Sequence, residues 1–308
     1  MSSPAPGEAA GDGSGVRRAL LLVNSRGTRA ADGQRRLTPG LQVLAEAGIA
    51  AEPELLSDPE AIPERIRAEA SACDLVLLGG GDGTFSLALD ALLESGRPLG
   101  LLPMGNANDL ARTLGIPLAI EAACGVIAGG RTRRVDVGAI NGTHFFNVAS
   151  IGLSVRIARR LTRDRKERWG GLAYLGCAWE AAHEQRSFRA RLTCDGETAE
   201  VRSMQIAVGN GRFYGGGMTI VDDAAIDDGR LDLYALPRLR GWRLLVLLPI
   251  LRWGWHRPVA SILSLHGREI TVETDRTLDI NVDGEVRSRT PARFSVVPRA
   301  LEVFVPAL

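Results

Sequence analysis

The 308-residue chain sets 37 Lys+Arg against 36 Asp+Glu, a formal net charge of +1, with 45% hydrophobic and only 5% aromatic residues. At roughly 150 residues per domain that length favours two domains. The apolar fraction excludes a disordered chain, and the balanced charge argues against a general nucleic-acid binder. The basic set holds a single lysine, Lys166, inside Arg163-Asp164-Arg165-Lys166-Glu167-Arg168. That context fits neither a Walker A lysine, nor the strand lysine of a protein kinase, nor a pyridoxal Schiff base.

Residues 1–15 read as a disordered tail rich in Ser, Pro, Ala and Gly, without the basic start and apolar core of a secretory signal. Ala19 to Val23 is a buried strand ending at Asn24-Ser25-Arg26-Gly27. A helix is predicted from Gly33 to Ala47, a strand from Ile49 to Leu56 and a helix from Asp58 to Ala70. Asp74 to Leu78 is a third strand running into Gly79-Gly80-Gly81-Asp82-Gly83-Thr84. A helix to Glu94 and a strand from Leu99 to Leu102 follow. Short continuous apolar strands alternating with helices predict a parallel sheet covered on both faces. Ligands of such sheets bind beyond the carboxyl ends of the strands.

After about Val135 the pattern changes. Helical patterns cover Leu153 to Arg165 and Trp169 to Glu184. Alternating segments follow at Phe188 to Cys194, Glu200 to Val208, Arg230 to Leu236, Ser261 to Leu265, Glu269 to Thr274, Thr277 to Val282, Ala292 to Val297 and Leu301 to Val305. Many short strands separated by turn residues predict an antiparallel β-sandwich. The expected division is an α/β domain over 16–138, completed in one version by 296–308, and a β-rich domain over 139–295. The longest apolar run, Leu244 to Leu251, contains Pro249 and is far shorter than the ~20 residues that span a bilayer. A soluble or peripheral protein is expected.

Cys73, Cys124, Cys177 and Cys194 show no CxxC spacing, which predicts buried thiols of a reducing cytosol rather than a zinc site or a disulfide framework. His144, His183, His256 and His266 are scattered and propose no hydrolase or zincin site.

Four segments carry chemistry. In Gly79 to Thr84, consecutive glycines let the backbone approach a phosphate, and the helix that follows aims free N–H groups at an anion. Asp82 inside that loop suits Mg²⁺ or a hydroxyl rather than phosphate. A second strand–helix junction, Leu102 to Arg112, offers Gly105, Asn106, Asn108 and Asp109 as caps or polar ligands. A third stretch joins Val208-Gly209-Asn210-Gly211 and Gly215-Gly216-Gly217 to five acids, Asp222, Asp223, Asp227, Asp228 and Asp232. Hard oxygen ligands of that kind suit Mg²⁺ or Ca²⁺. The fourth, Asp283-Gly284-Glu285, flanks a glycine with two acids. Each also has a purely structural reading: a tight turn, a helix cap, a solvated acidic turn, and an Asp-Gly β-hairpin.

In order along the chain, Gly80-Gly81-Asp82-Gly83-Thr84, Pro103 to Ala111, Gly209-Asn210-Gly211 with Gly215 to Gly217, Ile226 to Asp232 and Val282 to Glu285 resemble the diacylglycerol kinase catalytic family. The resemblance is nearest the bacterial YegS-type lipid kinases, relatives of the sphingosine kinases. The first motif is shared with NAD kinases; the set of five covers nearly the whole chain after Val16. The resemblance implies an N-terminal α/β nucleotide domain and a β-rich C-terminal domain, with ATP and a membrane lipid meeting between them. It implies ATP contacts at Ser57, at Gly79 to Thr84 and at Gly105, Asn106, Asn108 and Asp109. Metal ligands are implied at Ala225, Asp228 and Arg230, the first and last through carbonyls. Glu285 is implied as catalytic base, with Asp283 beside it and Asp82 organising Mg–ATP. Three positions depart from the family: Asn106 stands for the usual threonine, Ser25 for the proline of an Asn-Pro, and Asp222-Asp223 for a proline after the third glycine loop.

The expected activity is ATP-dependent phosphorylation of a diacylglycerol-like lipid hydroxyl in phospholipid metabolism, by a cytoplasmic enzyme peripheral to the inner membrane surface. A homodimer is left open and no nucleic-acid partner is expected. Arg156, Arg159, Arg160 and Arg163 recur at helical spacing, and Trp242, Trp253 and Trp255 bracket the apolar run. Either segment would suit an anionic membrane surface; a solvated helix face and a core helix explain them as well. The rival functions are an NAD kinase-like enzyme and a non-catalytic nucleotide- or lipid-binding regulator on the same fold.

Overall fold

The computed structural model describes residues 16–26, 30–160, 187–211, 213–214, 218–219, 225–237 and 263–307. The helical pattern at Trp169 to Glu184, the Gly215 to Gly217 run, Asp222-Asp223 and the Trp242 to Trp255 segment lie outside the described residues.

The first half folds as strands and helices in alternation: β1 (Arg17–Asn24), α1 (Ala30–Glu46), β2 (Ile49–Leu56), α2 (Ile62–Glu69), β3 (Leu75–Gly80), α3 (Asp82–Ser95), β4 (Leu99–Pro103), α4 (Asp109–Thr113) and α5 (Ile120–Ala128). Strands pair in parallel in the order β2-β1-β3-β4. β3 and β4 are buried along their whole length, as expected of a sheet covered on both faces. The helix expected at Asp58 to Ala70 is divided. Pro59 and Pro63 each start a new turn, so a 3₁₀ turn over Pro59–Ala61, capped by the Asp58 carboxylate on the Glu60 N–H at 3.1 Å, precedes α2.

The second half holds β5 (Thr132–Ile140), β6 (Thr143–Phe145), β7 (Val148–Gly152), α6 (Leu153–Arg160), β8 (Phe188–Cys194), β9 (Glu197–Gly209), β10 (Phe213–Tyr214), β11 (Met218–Thr219), β12 (Leu231–Pro237), β13 (Leu263–Gly267), β14 (Glu269–Thr274), β15 (Asp279–Val282), β16 (Glu285–Arg289) and β17 (Ala292–Phe304). Apart from the parallel contact of β17 with β4, these pair antiparallel. The chain is thus an N-terminal α/β domain followed by a β-rich sandwich. Two hydrophobic cores are present, one around Leu77, Phe85 and Leu101 that also takes in Val135, Val137, Leu301 and Val303 from β5 and β17, the other around Phe188, Ile206 and Phe294.

Three hairpins turn at Asn141-Gly142, Asp195-Gly196 and Asp283-Gly284. Both residues of each pair have positive φ, as a two-residue I′ turn requires. The two strands expected at Ala292 to Val297 and Leu301 to Val305 are one strand, β17. It pairs with β14 and β5, shifts register between Val297 and Leu301, and then lies beside β4 with Val303 opposite Leu99. The shift includes Arg299 at φ 51°.

Candidate functional site

Two loops meet at the carboxyl ends of β3 and β4. The first runs from Gly79 into α3. A Cβ on Gly81 would stand 3.0 Å from the Gly105 Cα, and one on Gly105 would stand 2.5 Å from the Gly81 Cα. The loops therefore touch backbone to backbone, and only glycines permit it. The Met104 N–H donates to the Gly80 carbonyl at 2.7 Å, and the Leu110 N–H donates to Asp82 Oδ1 at 3.0 Å. Asp82 thereby joins the first loop to α4. Gly80 has its own reason to be glycine: a Cβ there would lie 2.6 Å from Thr84. Thr84 in turn accepts from Asn24 Nδ2 at 2.8 Å, which brings in the end of β1.

Gly83 differs from these glycines. A Cβ at Gly83 meets nothing within 4 Å, so open space lies above the first turn of α3. The first N–H groups of any helix have no intrahelical acceptor, and the helix dipole makes such an end favourable for an anion.

The second loop is shaped by Asn108. Its Oδ1 accepts from the Gly105 N–H at 3.0 Å and its Nδ2 donates to the Gly105 carbonyl at 2.8 Å, at φ 52°. Both arms of this buried side chain are engaged within the loop. Asn108 therefore shapes the loop through Gly105. Asp109 is buried at the start of α4, Asn106 is exposed, and Ser57 is exposed in the bend after β2.

The β15–β16 hairpin comes down on the same helix. Asp283 at its turn accepts from the Phe146 N–H at 2.8 Å and from the Asn147 and Val148 N–H groups at 3.0 Å each, and the Ser86 hydroxyl of α3 stands near enough to favour its charged form. Desolvation raises the Asp283 carboxyl above the ordinary carboxylate range, while those four donors pull it down. With both oxygens occupied, Asp283 clamps the hairpin turn to the 146–148 segment. Asp195 in the β8–β9 hairpin does the same job with the Arg268 and Glu269 N–H groups. Glu285 is exposed and follows the turn. Arg287 meets its Oε2 with Nε at 3.0 Å and Nη2 at 2.8 Å, and reaches Ser86 with Nη1. Beside them, His144 Nδ1 lies 2.7 Å from Asp90 Oδ1, joining β6 to α3.

The loop before β12 holds the positions expected to bind metal. Asp228 accepts from the Ala225 N–H at 3.4 Å and from the Arg230 N–H at 3.2 Å, and its Oδ2 lies 3.1 Å from Arg230 Nε. The carboxylate is already balanced by a guanidinium, so as arranged it fits a cation poorly. Among the described residues no group of three or more His, Cys, Asp or Glu is placed to hold a metal. Asp82 fits better: it is half-buried, and only its Oδ1 is engaged among the described residues.

Sequence reasoning missed Asp136, which is 1% exposed within β5. Its Oδ2 accepts from the Gly229 N–H and its Oδ1 from the Arg299 N–H, each at 2.7 Å. One carboxylate thus ties the 225–230 loop to the register shift of β17. The available signal was a lone acid inside the apolar Val135-Asp136-Val137 strand. Asn210 adds to this junction by donating to the Asp136 and Phe146 carbonyls at 3.0 Å each.

Comparison with known proteins places this architecture. Residues 18–140 match the family model of the diacylglycerol kinase catalytic domain, and residues 147–305 that of the YegS C-terminal NAD kinase beta sandwich-like domain. A YegS-like lipid kinase of Pseudomonas aeruginosa is 35% identical over 79% of this chain and 81% of its own. A diacylglycerol kinase of Staphylococcus aureus is 29% identical over 80% and 79%. Among solved structures, one from Bacillus anthracis assigned to the diacylglycerol kinases superimposes with a TM-score of 0.81 at 25% identity. That match covers 94% of this chain and 98% of the other.

Proposed function

For a chain that belongs to the diacylglycerol kinase catalytic family with a YegS-type C-terminal domain, we propose ATP-dependent phosphorylation of a hydroxyl on a diacylglycerol-like membrane lipid. The observation that carries the reading is the seating of the β15–β16 hairpin on the first turns of α3. The Arg287–Ser86 contact, with Asp283 beside the same serine, brings the exposed Glu285 to the helix whose open N-terminus suits phosphate.

Phosphoryl transfer demands positioning and charge neutralisation more than covalent chemistry. The Gly81 to Thr84 backbone and the first turn of α3 take the phosphates, with the open space over Gly83 admitting them. Gly105 and Asn106 line the second loop beside them, and Ser57 bounds the nucleotide at the end of β2. Mg²⁺, when bound, neutralises phosphate charge; Asp82 is the residue that would hold it. The Ala225–Asp228–Arg230 loop carries its own counter-ion and is assigned a structural part. Glu285 accepts the proton of the lipid hydroxyl. The hydroxyl oxygen forms the new bond to the γ-phosphorus. The bond from that phosphorus to the β–γ bridging oxygen breaks, and its electron pair stays on ADP.

The test is incubation of the purified protein with labelled ATP and, separately, diacylglycerol vesicles, a mixed lipid extract and NAD. Labelled phospholipid is the expected product, identified by mass. Glu285→Gln is expected to lower turnover by roughly 10²–10⁴-fold, the usual contribution of a general base, and Asp82→Asn to abolish it, with both proteins still folded. Phosphorylation of NAD alone would replace the reading with the NAD kinase one. Nucleotide binding without any turnover would make the protein a regulator. No described helix is long and apolar enough to cross a membrane, and vesicle binding that weakens with salt and on replacing Arg159 and Arg160 is expected for a peripheral contact.

A further inference from the structure

We infer that Arg287 is a further catalytic residue, one that neutralises the phosphoryl group in transit. The inference rests on the phosphotransfer reading above. Arg287 lies on β16, two residues beyond Glu285, at the register shift where Val286 stands opposite Asn281 and Ser288 opposite Ile280, so Arg287 is the extra residue of a bulge that turns its side chain back to Glu285. Its side chain is 23% exposed against 57% for Glu285, so the charge sits in a largely desolvated position where it acts strongly. The guanidinium spends its Nε and Nη2 donors on a single oxygen, Glu285 Oε2. Nη1 points the other way, to the Ser86 carbonyl at 3.4 Å and hydroxyl at 3.5 Å, longer than the 2.7–3.2 Å of a well-made bond. An arginine is thus anchored through one edge on the proposed base. Its other edge extends loosely held donors to Ser86 in the second turn of α3.

Charge bookkeeping points the same way. The transferred group carries charge on its three equatorial oxygens, and enzymes of this type meet it with a lysine or an arginine finger. This chain has one lysine in 308 residues, Lys166 in the Arg163 to Arg168 run. Arg287 bridges Glu285 to Ser86, the i+3 neighbour of Gly83, over which the space is open, so the guanidinium stands on the helix face beside the proposed phosphate position. It takes no part in the proton transfer; its planar fork suits two phosphate oxygens at once.

The variants are Arg287→Gln, which keeps hydrogen-bonding reach but loses the charge, and Arg287→Lys, which keeps the charge but loses the fork. Expected for Arg287→Gln is a fall in kcat on the order of 10²–10³, as for other transition-state charge donors, with the KM for ATP changed by less than about threefold. Arg287→Lys should recover roughly tenfold of that loss. A second measurement does not depend on the lipid: calorimetric binding of ADP with aluminium fluoride, a planar mimic of the phosphoryl group in transit, against ADP alone. Arg287→Gln should weaken the fluoride complex about tenfold and leave ADP unchanged. Wild-type kcat in Arg287→Gln, or equal weakening of both ligands, overturns the inference, as does loss of activity in both variants that merely tracks a lowered melting temperature. If the wild type phosphorylates no lipid, the function reading falls while the fluoride measurement still decides the role of Arg287.

Discussion

Asp136 makes the sharpest test of how the site is supported. Asp136→Ala removes the acceptor of two 2.7 Å bonds, from the Gly229 and Arg299 N–H groups. Hydrogen bonds to a charged group contribute ~1.5–3 kcal/mol each, so the gross loss is about 3–6 kcal/mol. Two effects reduce it: the variant no longer buries an ionised carboxylate, and the backbone at the exposed Arg299 regains water. A net loss of about 2–4 kcal/mol follows, a large share of the ~5–15 kcal/mol of a typical domain. Asp136→Asn keeps one acceptor and turns an amide N–H₂ toward the other donor, so about half that loss is expected. The assay is urea unfolding followed by far-ultraviolet circular dichroism. At a slope of ~3 kcal/mol/M, Asp136→Ala should lower the midpoint by about 1 M. A shift below ~0.3 M, or an asparagine variant as damaging as alanine, would refute the view that this carboxylate pins the loop to β17.

Other outcomes follow from the same geometry. Gly83→Ala places its methyl in open space and improves the helix by up to ~1 kcal/mol, so melting should hold or rise while ATP affinity falls; unchanged affinity would remove phosphate from that turn. Gly105→Ala meets the Gly81 backbone at 2.5 Å and should lower both stability and activity, measurable by the same melting and turnover assays. Hydrogen bonding to His144 holds the Asp90 carboxyl below its ordinary 3.8. Its contribution to stability is therefore full above that value and is lost as pH falls through the lower, folded-state value. Asp90→Asn should flatten the acid limb of a stability–pH curve in that window. Burial pushes the Cys124 thiol up to about 11, so Cys124 should resist iodoacetamide at pH 8 in the native protein and react once unfolded, as mass spectrometry of tryptic peptides would record.

Fold and loops were legible in the sequence to the extent that local chemistry determined them. Apolar runs such as Leu75 to Leu78 and turn pairs such as Asp195-Gly196 carry their conformation in the residues themselves. β5 and β7 were not read as strands, because their pairing is decided by partners far along the chain, β17 and β9. The break before α2 needed the spacing of Pro59 and Pro63, not apolar period. At the site, the glycine loops were legible, but which glycine is packed and which faces open space was not. Gly81 and Gly105 explain each other only in three dimensions. The backbone bonds of Asp283 and Asn108 were not legible for one reason: a polar side chain in a motif can serve the backbone around it as readily as a ligand. Asp136 and Arg287 lay outside every motif and became visible only through their partners.

The course of β17 carries a consequence for biosynthesis. The α/β domain is begun by β1 near residue 17, yet Leu301, Val303 and Phe304 belong to its core and Val303 lies against Leu99. A ribosome therefore releases β4 some 200 residues before its neighbour on that side exists. Until then the nascent domain exposes a strand edge and part of its apolar interior, the conditions under which partly made chains recruit chaperones or pair with one another. Between those events the entire sandwich must be made. A chain stopped before residue 292 would thus leave the first domain open as well as the second unfinished.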